Sequence, residues 1–429
     1  MRTKLPLPAS VDPAIGKLAL SRPLANTHDH QFPEKQRLEL GARLDWTLCM
    51  DGYAVGVLSR AGMPQDKISL ICTALSPEEK WDLVAPYWRH ARLTGVMQPQ
   101  ILAARLLYGV DDINRNTVGE ITRQIQAGNR PGICRHILED VAGFHHVQTC
   151  SNVQPIYPVD FDARDGFQLY DMDLSRILTG KALPDLAARS GHEIKSFADY
   201  LAAVDWCFTH YGKRAVALKV VNNYWRALDF VPATLEEAAA AFAKNVLGGE
   251  PTPARVFEDF MLYRSLSSAR EYDLPIRFHC GFTAGISPLP DVRPSHIERL
   301  VAGARENRFV LLHAGYPFAE ETMALCQAYP HVYADLGWIW QIDPVWSERF
   351  VREFVTACGP RQLLLFGGDT GFPETSFAYS LAARLGLARA LTGLQRDRLA
   401  DAADIDFLFD RLLVENSREC FRLEAKFGM

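Results

Sequence analysis

The sequence predicts an α/β fold: a (β/α)8 TIM barrel with a helical insertion after strand 1 and extra C-terminal helices. Three observations carry this expectation. From about residue 195 onward, short and nearly continuous apolar runs alternate with segments of helical periodicity, the pattern of a parallel sheet covered on both faces. The runs recur evenly, with 34 residues from His279 to His313 and 56 from His313 to Asp369, or two units averaging 28. Residues able to bind a metal ion stand at the ends of these runs, where barrels of this class place their chemistry.

Taken in order, PLANTHDH (23–30) reads as the first strand, FHHVQTCS (144–151) as the second and VQPIYPVDF (153–161) as the third. The second and third lie too close together for a helix between them. A helix over Phe197–Tyr211 ends at Gly212, and RAVALKVVN (214–222) follows as a buried, β-branched fourth strand. Two helices come next, over 235–247 and 254–272, the first opened by Thr234 as N-cap with Glu237 as its capping-box partner. PIRFHCG (275–281), FVLLHAG (309–315), VYADLGW (332–338) and LLLFGGD (363–369) complete the eight strands, with helices at 295–306, 319–329 and 344–358 between them. Further helices occupy about 394–425.

Over a hundred residues separate His30 from the second strand, and their content is helical, at 76–95, 97–109 and 116–128. No Pro/Ser/Gly-rich linker frames this stretch. The expectation is therefore a single domain over 1–429, with a helical insertion at about 31–143 emerging from the loop after the first strand.

Composition narrows the function classes. The 429 residues are 48% hydrophobic and 23% charged, ordinary for a globular chain. Lys+Arg number 46 against 51 Asp+Glu, a net charge of -5, which leaves no electrostatic footprint for nucleic acid or an acidic membrane. No apolar stretch approaches the ~20 residues of a spanning helix, and no apolar segment follows the charged N-terminus as in a signal peptide. Nine scattered cysteines, none in a C-x-x-C pair, read as reduced core thiols. A cytoplasmic protein is expected.

The candidate chemistry lies at four strand ends. His28-Asp29-His30 forms an H-x-H in which period-two geometry turns both imidazoles to one face. His279 ends the fifth strand, His313 the sixth, and Asp369 the eighth. Singly these are weak signals: a lone histidine after an apolar run is usually a core residue, and an Asp after Gly-Gly is by default a turn residue or helix N-cap. Together, imidazoles with one carboxylate suit zinc, manganese or iron better than calcium or magnesium.

The order H-x-H, Lys219, His279, His313, Asp369 resembles the amidohydrolase superfamily of metal-dependent (β/α)8 enzymes. PIRFHCGF, FVLLHAGYPFAEETMALCQAYPHVYADLGW and LLLFGGDTGFPE resemble its amidohydrolase-related branch, which includes the FluG/nodulin-type domains and, more distantly, the uronate isomerases. The resemblance spans roughly 20–390 and is strongest over 210–375. It implies His28, His30, His279 and Asp369 as metal ligands, with Asp369 also moving a proton. It implies His313 as a catalytic group polarising substrate or as a ligand of a second ion. Lys219 falls where binuclear relatives carry a carboxylated lysine, although a lysine there can equally pair with a carboxylate.

One divalent ion is favoured over two, zinc foremost, with manganese and iron as alternatives. For substrate contacts the expectation is Tyr224, Arg226 as a carboxylate clamp, and Trp338 as a pocket wall. A structural ion pair is an equal reading for Arg226. The function expected is hydrolysis of a small carboxylate-bearing amide or lactone, with γ-glutamyl amides suggested by the FluG resemblance. The alternative is non-hydrolytic: a uronate-isomerase-like aldose–ketose conversion or decarboxylation of an aromatic acid. The partner is then a small molecule, and a homo-oligomer is an expectation of the resemblance alone.

Overall fold

The computed structural model describes residues 5–50, 52–150, 156–158, 166–249 and 254–429. The chain divides into two compact units. The first comprises Met1–Val147, Gly337–Glu353 and Leu365–Leu413; the second comprises Gln148–Leu336, Phe354–Leu364 and Val414–Met429.

In the first unit, β1 (Leu24–Asp29) is buried along its whole length. At its start Leu24 donates its backbone N–H to Gly143 O at 3.1 Å, just before β2 (Phe144–Thr149), which runs on into the second unit. On the other side of β1 lies the segment after Leu365. Thr27 N–H donates to Phe366 O at 2.8 Å, Asp369 N–H to His28 O at 2.9 Å and His30 N–H to Thr370 O at 3.1 Å.

The stretch between β1 and β2 is helical, as expected. Ser76 caps the helix Pro77–Ala91 through a capping box with Glu79, and Pro77 supplies a preset φ at the first turn. Trp46, Trp81 and Trp88 pack edge to face, with centroids 5.6 and 5.2 Å apart, in a core joined by helices Gly52–Arg60, Met97–Tyr108 and Val118–Gly128. A buried Lys80–Asp45 pair at 2.5 Å ties the loop before this core to it.

Helix Pro373–Arg396 is buried along most of its length. Its Arg384 donates to the carbonyls of Ala19, Arg22 and Ala142, satisfying backbone acceptors at the ends of two segments. The C-terminal helices follow at Ala402–Asp410, Asn416–Phe421 and Leu423–Phe427.

In the second unit, β3 (Gln168–Tyr170) succeeds β2, and Asp171 donates its N–H to Thr149 O at 3.0 Å. Six parallel strands then lie in sequence order: β4 (Met172–Asp173), β5 (Leu218–Val220), β6 (Ile276–His279), β7 (Phe309–Leu312), β8 (Val332–Asp335) and β9 (Leu363–Leu364). Lys219 stands opposite Arg277, and His279 opposite Leu312. Helices Phe197–Tyr211, Arg255–Glu271 and Ala319–Ala328 form as the periodicity predicts, each within a residue of the expected bounds.

Two strand expectations change. Of the third strand read at 153–161, residues 153–155 and 159–161 lie outside the described residues. Residues 156–158 form no strand, and the next strand after β2 among the described residues is β3. Pro158 has no N–H to give to a ladder. The eighth strand is regular only over Leu363–Leu364, because Gly367-Gly368 and the positive φ of Asp369 (50°) break the pleat.

No helix among the described residues is long and apolar enough to cross a membrane.

Candidate metal centre

β1 delivers His28 near its end and His30 just past it, and the strand's alternation puts both imidazoles on one side. Asp29, between them, points the other way and is locked down. Its carboxylate accepts from Asn26 Nδ2 (2.7 Å), Gln31 Nε2 (3.0 Å), Ser376 Oγ (2.6 Å) and the Thr370 N–H (2.8 Å). Burial nevertheless pushes its pKa up to about 6, against the lowering effect of these four donors. Asp29 is a brace for the strand end.

The segment 366–371 brings Asp369 against this pair, and glycine makes the approach achievable. A Cβ on Gly367 would stand 2.7 Å from the Cβ of His28, and one on Gly368 would stand 2.9 Å from Ser376 Oγ and 3.0 Å from Asp29 Oδ1. Asp369 then takes a left-handed backbone at φ 50°. Its Oδ1 lies 3.1 Å from His28 Nε2 and 3.1 Å from His30 Nε2. The His28 and His30 rings meet edge to face at 5.0 Å.

These three residues each offer one ligand atom, and the three atoms lie within 4.8 Å of one another. His28 and Asp369 are buried, while the His30 side chain keeps 24% of its surface exposed, which opens the group to solvent. Burial would raise the Asp369 pKa, but the attraction and hydrogen bonds of His28 and His30 outweigh it and hold the carboxyl well below the usual range. Two imidazole nitrogens and a carboxylate oxygen converging on one point are a donor set that fits a divalent transition ion.

The sequence did not single out Tyr53. It rises from the helix Gly52–Arg60 and donates its hydroxyl to Asp369 Oδ2 at 3.0 Å. The Tyr53 ring packs on Trp338 at 5.0 Å. Trp338 is itself held at φ 69° with its N–H on Gly367 O at 2.9 Å. No pattern in the helical insertion marks Tyr53; only the fold brings it there.

The remaining predicted residues belong to the second unit. His279 Nδ1 lies 3.1 Å from His313 Nε2 and 3.4 Å from the Tyr224 hydroxyl, and His279 Nε2 lies 3.1 Å from Phe282 O. His313 turns out of β7 at φ 64°. Lys219 is buried in β5, and its charge acts on Asp173, whose pKa burial pushes up to about 6 despite the opposing effects of Arg176 and Lys219.

Arg226 is buried, donates to Glu258 (3.3 Å) and pairs ionically with Asp259 (2.8 Å), with its guanidinium 4.3 Å above the Phe230 ring. That arrangement is the structural ion pair the sequence allowed. Below His279 on the same strand, Arg277 sits fully buried between Asp171 (2.9 Å) and Asp335 (3.3 Å).

Comparison with known proteins agrees with this construction. Residues 225–423 match the family model described as Amidohydrolase. Over 176 residues, 37% of the chain, the sequence is 28% identical to the protein FluG of Emericella nidulans; the match spans a fifth of that protein's length. A uronate isomerase structure from Thermotoga maritima superposes with a TM-score of 0.79 at 13% identity, covering 97% of this chain and 99% of the other. A structure from Lactobacillus casei ATCC 334, provisionally named a metal-dependent hydrolase, gives 0.68 at 17% identity over 96% and 98%.

The likenesses to solved structures span nearly whole chains and so carry the fold, a (β/α)8 barrel elaborated by the helical stretch after β1. Residues 225–423 thus carry the amidohydrolase family match, which the FluG likeness and the order of the strand-end residues support.

Proposed function

We propose that this protein is a metal-dependent hydrolase of a small, carboxylate-bearing amide or lactone. The observation that carries the reading is the convergence of His28 Nε2 and His30 Nε2 on Asp369 Oδ1, both at 3.1 Å. His28, His30 and Asp369 would hold one divalent ion, with zinc preferred by the two-imidazole, one-carboxylate donors. Such an ion supplies Lewis acidity, polarising a carbonyl and making water more acidic.

The chain's own part is proton handling. Asp369 is ionised at neutral pH, and Tyr53 fixes its Oδ2. A water whose oxygen bonds to the substrate carbonyl carbon gives its proton to this carboxylate. As the carbon–nitrogen or ester carbon–oxygen bond breaks, the same proton passes to the departing atom, so the carboxylate ends as it began. His279, His313 and Tyr224 stand together in the second unit, where the family resemblance makes His279 a metal ligand and His313 the group that polarises substrate. Arg226, already engaged by Glu258 and Asp259, positions the loop that carries Tyr224.

A second reading, aldose–ketose isomerisation of a uronate, draws on the full-length likeness to a uronate isomerase. It also draws on a phenol and a carboxylate 3.0 Å apart, a pair able to carry a proton between neighbouring carbons.

The test is elemental analysis followed by incubation in ¹⁸O-water with γ-glutamyl amides, lactones, uronates and hydroxybenzoates. Hydrolysis places label in the product acid. Isomerised uronate or released CO₂ without label in a new carboxylate overturns the hydrolase reading. Less than about half an ion per chain after gentle purification overturns the metal-based reading as a whole.

A further inference from the structure

The two most exposed large hydrophobic side chains among the described residues are Val345, at 76%, and Leu93, at 74%. Both border the same groove in the first unit. The groove has a volume of about 390 Å³, with Pro99 and Leu385 among its lining residues. It runs between the helix Met97–Tyr108, the helix Pro373–Arg396 and the start of the helix Pro344–Cys358. Gly95 lets the segments close up there, since a Cβ on it would stand 2.6 Å from Gln341 O and from the Pro344 ring.

Solvent-facing aliphatic side chains scattered singly need no explanation, but two beside a hollow of matching polarity do. Two charges of opposite sign, Glu348 and Arg389, border the same groove. Both are half-buried, and among the described residues neither has an ion pair or a side-chain hydrogen bond. The chain elsewhere pairs its acids and bases freely, as with Arg349 and Glu353 on the same helix as Glu348. The patch therefore holds a protruding apolar group, an apolar hollow, an unpaired acid and an unpaired base.

We propose that this face is the interface of a homodimer. In an isologous contact each surface must be complementary to itself, so whatever protrudes must meet a hollow and each charge its opposite. Val345 and Leu93 of one copy enter the groove of the other, and Glu348 of each faces Arg389 of its partner across the two-fold axis. A small apolar ligand would fill the hollow but leave both charges unanswered. A partner of one sign would answer only one of them. A second copy of this chain answers both. The apolar contact supplies the affinity, and the charge pairs fix the orientation.

The test is sedimentation velocity at about 1 to 50 μM on the whole chain. The expected mass is about twice 48.1 kDa. Val345→Glu, at an exposed position, weakens the dimer by more than about tenfold, and far-UV circular dichroism checks that it folds. Glu348→Arg alone and Arg389→Glu alone each place like charges across the axis and weaken it as well. The double reversal, Glu348→Arg with Arg389→Glu, restores the dimer, and this decides the matter even if Val345→Glu were to misfold. A wild-type chain that stays monomeric throughout this range overturns the proposal. So does an oligomer indifferent to the single reversals, or a double reversal that fails to restore association. None of these outcomes depends on turnover, so the metal-based reading stands or falls separately.

Discussion

The Tyr53 hydroxyl donates to Asp369 Oδ2 at 3.0 Å, while Oδ1 of the same carboxylate lies 3.1 Å from both His28 and His30. The two oxygens are thereby given different work: one faces His28 and His30, and the other is held by a phenol from the helical stretch between β1 and β2. Tyr53→Phe removes that bond and leaves the ring packed on Trp338. The expected result is a metal content equal to wild type with turnover lowered about 10- to 100-fold, the worth of one hydrogen bond to a charged group. Steady-state kinetics beside elemental analysis checks it, and a kcat within about twofold of wild type would show that Oδ2 needs no such restraint.

Metal binding to the native chain alone must stabilise it. Against a chelated control, excess zinc is expected to raise the melting temperature, with the gain near 2.7 kcal/mol once free metal reaches about 100 times its Kd. His28→Ala and Asp369→Asn each remove a ligand atom from the cluster, so the gain should vanish in both. Calorimetry with and without chelator reads this directly. A full gain in Asp369→Asn would remove that carboxylate from the ligand set.

Asp29 makes the apoprotein's stability fall as pH rises. Its folded pKa, about 6, stands above the ordinary 3.8, so between these values the folded state binds more protons than the unfolded one. The sign follows: this contribution is most favourable below pH 4 and is lost as pH climbs through 6. Asp29→Asn does not titrate. The stability of wild type relative to this variant, measured by urea unfolding in chelator, should drop by on the order of 3 kcal/mol between about pH 4 and pH 7. Parallel profiles for the two proteins would mean that the four donors around Asp29 cancel the cost of burying its charge.

What the sequence disclosed and what it withheld follow from range. His28, His30 and Asp369 were legible because each sits at the end of an apolar run, and strand alternation is local physics. The Gly-Gly before Asp369 was legible as a turn, but its reason was not. Gly367 is required by the Cβ of His28, more than 300 residues away in the chain, and no window of sequence contains both. Tyr53 was invisible for the same cause. Guanidinium chemistry suits a substrate carboxylate and a structural ion pair equally, and in the fold Arg226 meets Glu258 and Asp259. Most of the third strand expected at 153–161 lies outside the described residues, and β3 is Gln168–Tyr170.

Arg277 supplies the last expectation. It is fully buried, two residues before His279 on the same face of β6, with Asp171 and Asp335 equally buried at 2.9 and 3.3 Å. Three charges shut away from water are tolerable only together: one cation serves two anions, and removing it strands both. Arg277→Met is expected to cost about 3–5 kcal/mol in urea unfolding, far more than the arginine's packing alone. The decisive control is Arg277→Met combined with Asp171→Asn and Asp335→Asn, which leaves no buried charge and should recover most of the loss. If the triple variant were no more stable than Arg277→Met, the cost would lie in packing, and the network would not be what holds β6 and its histidine in place.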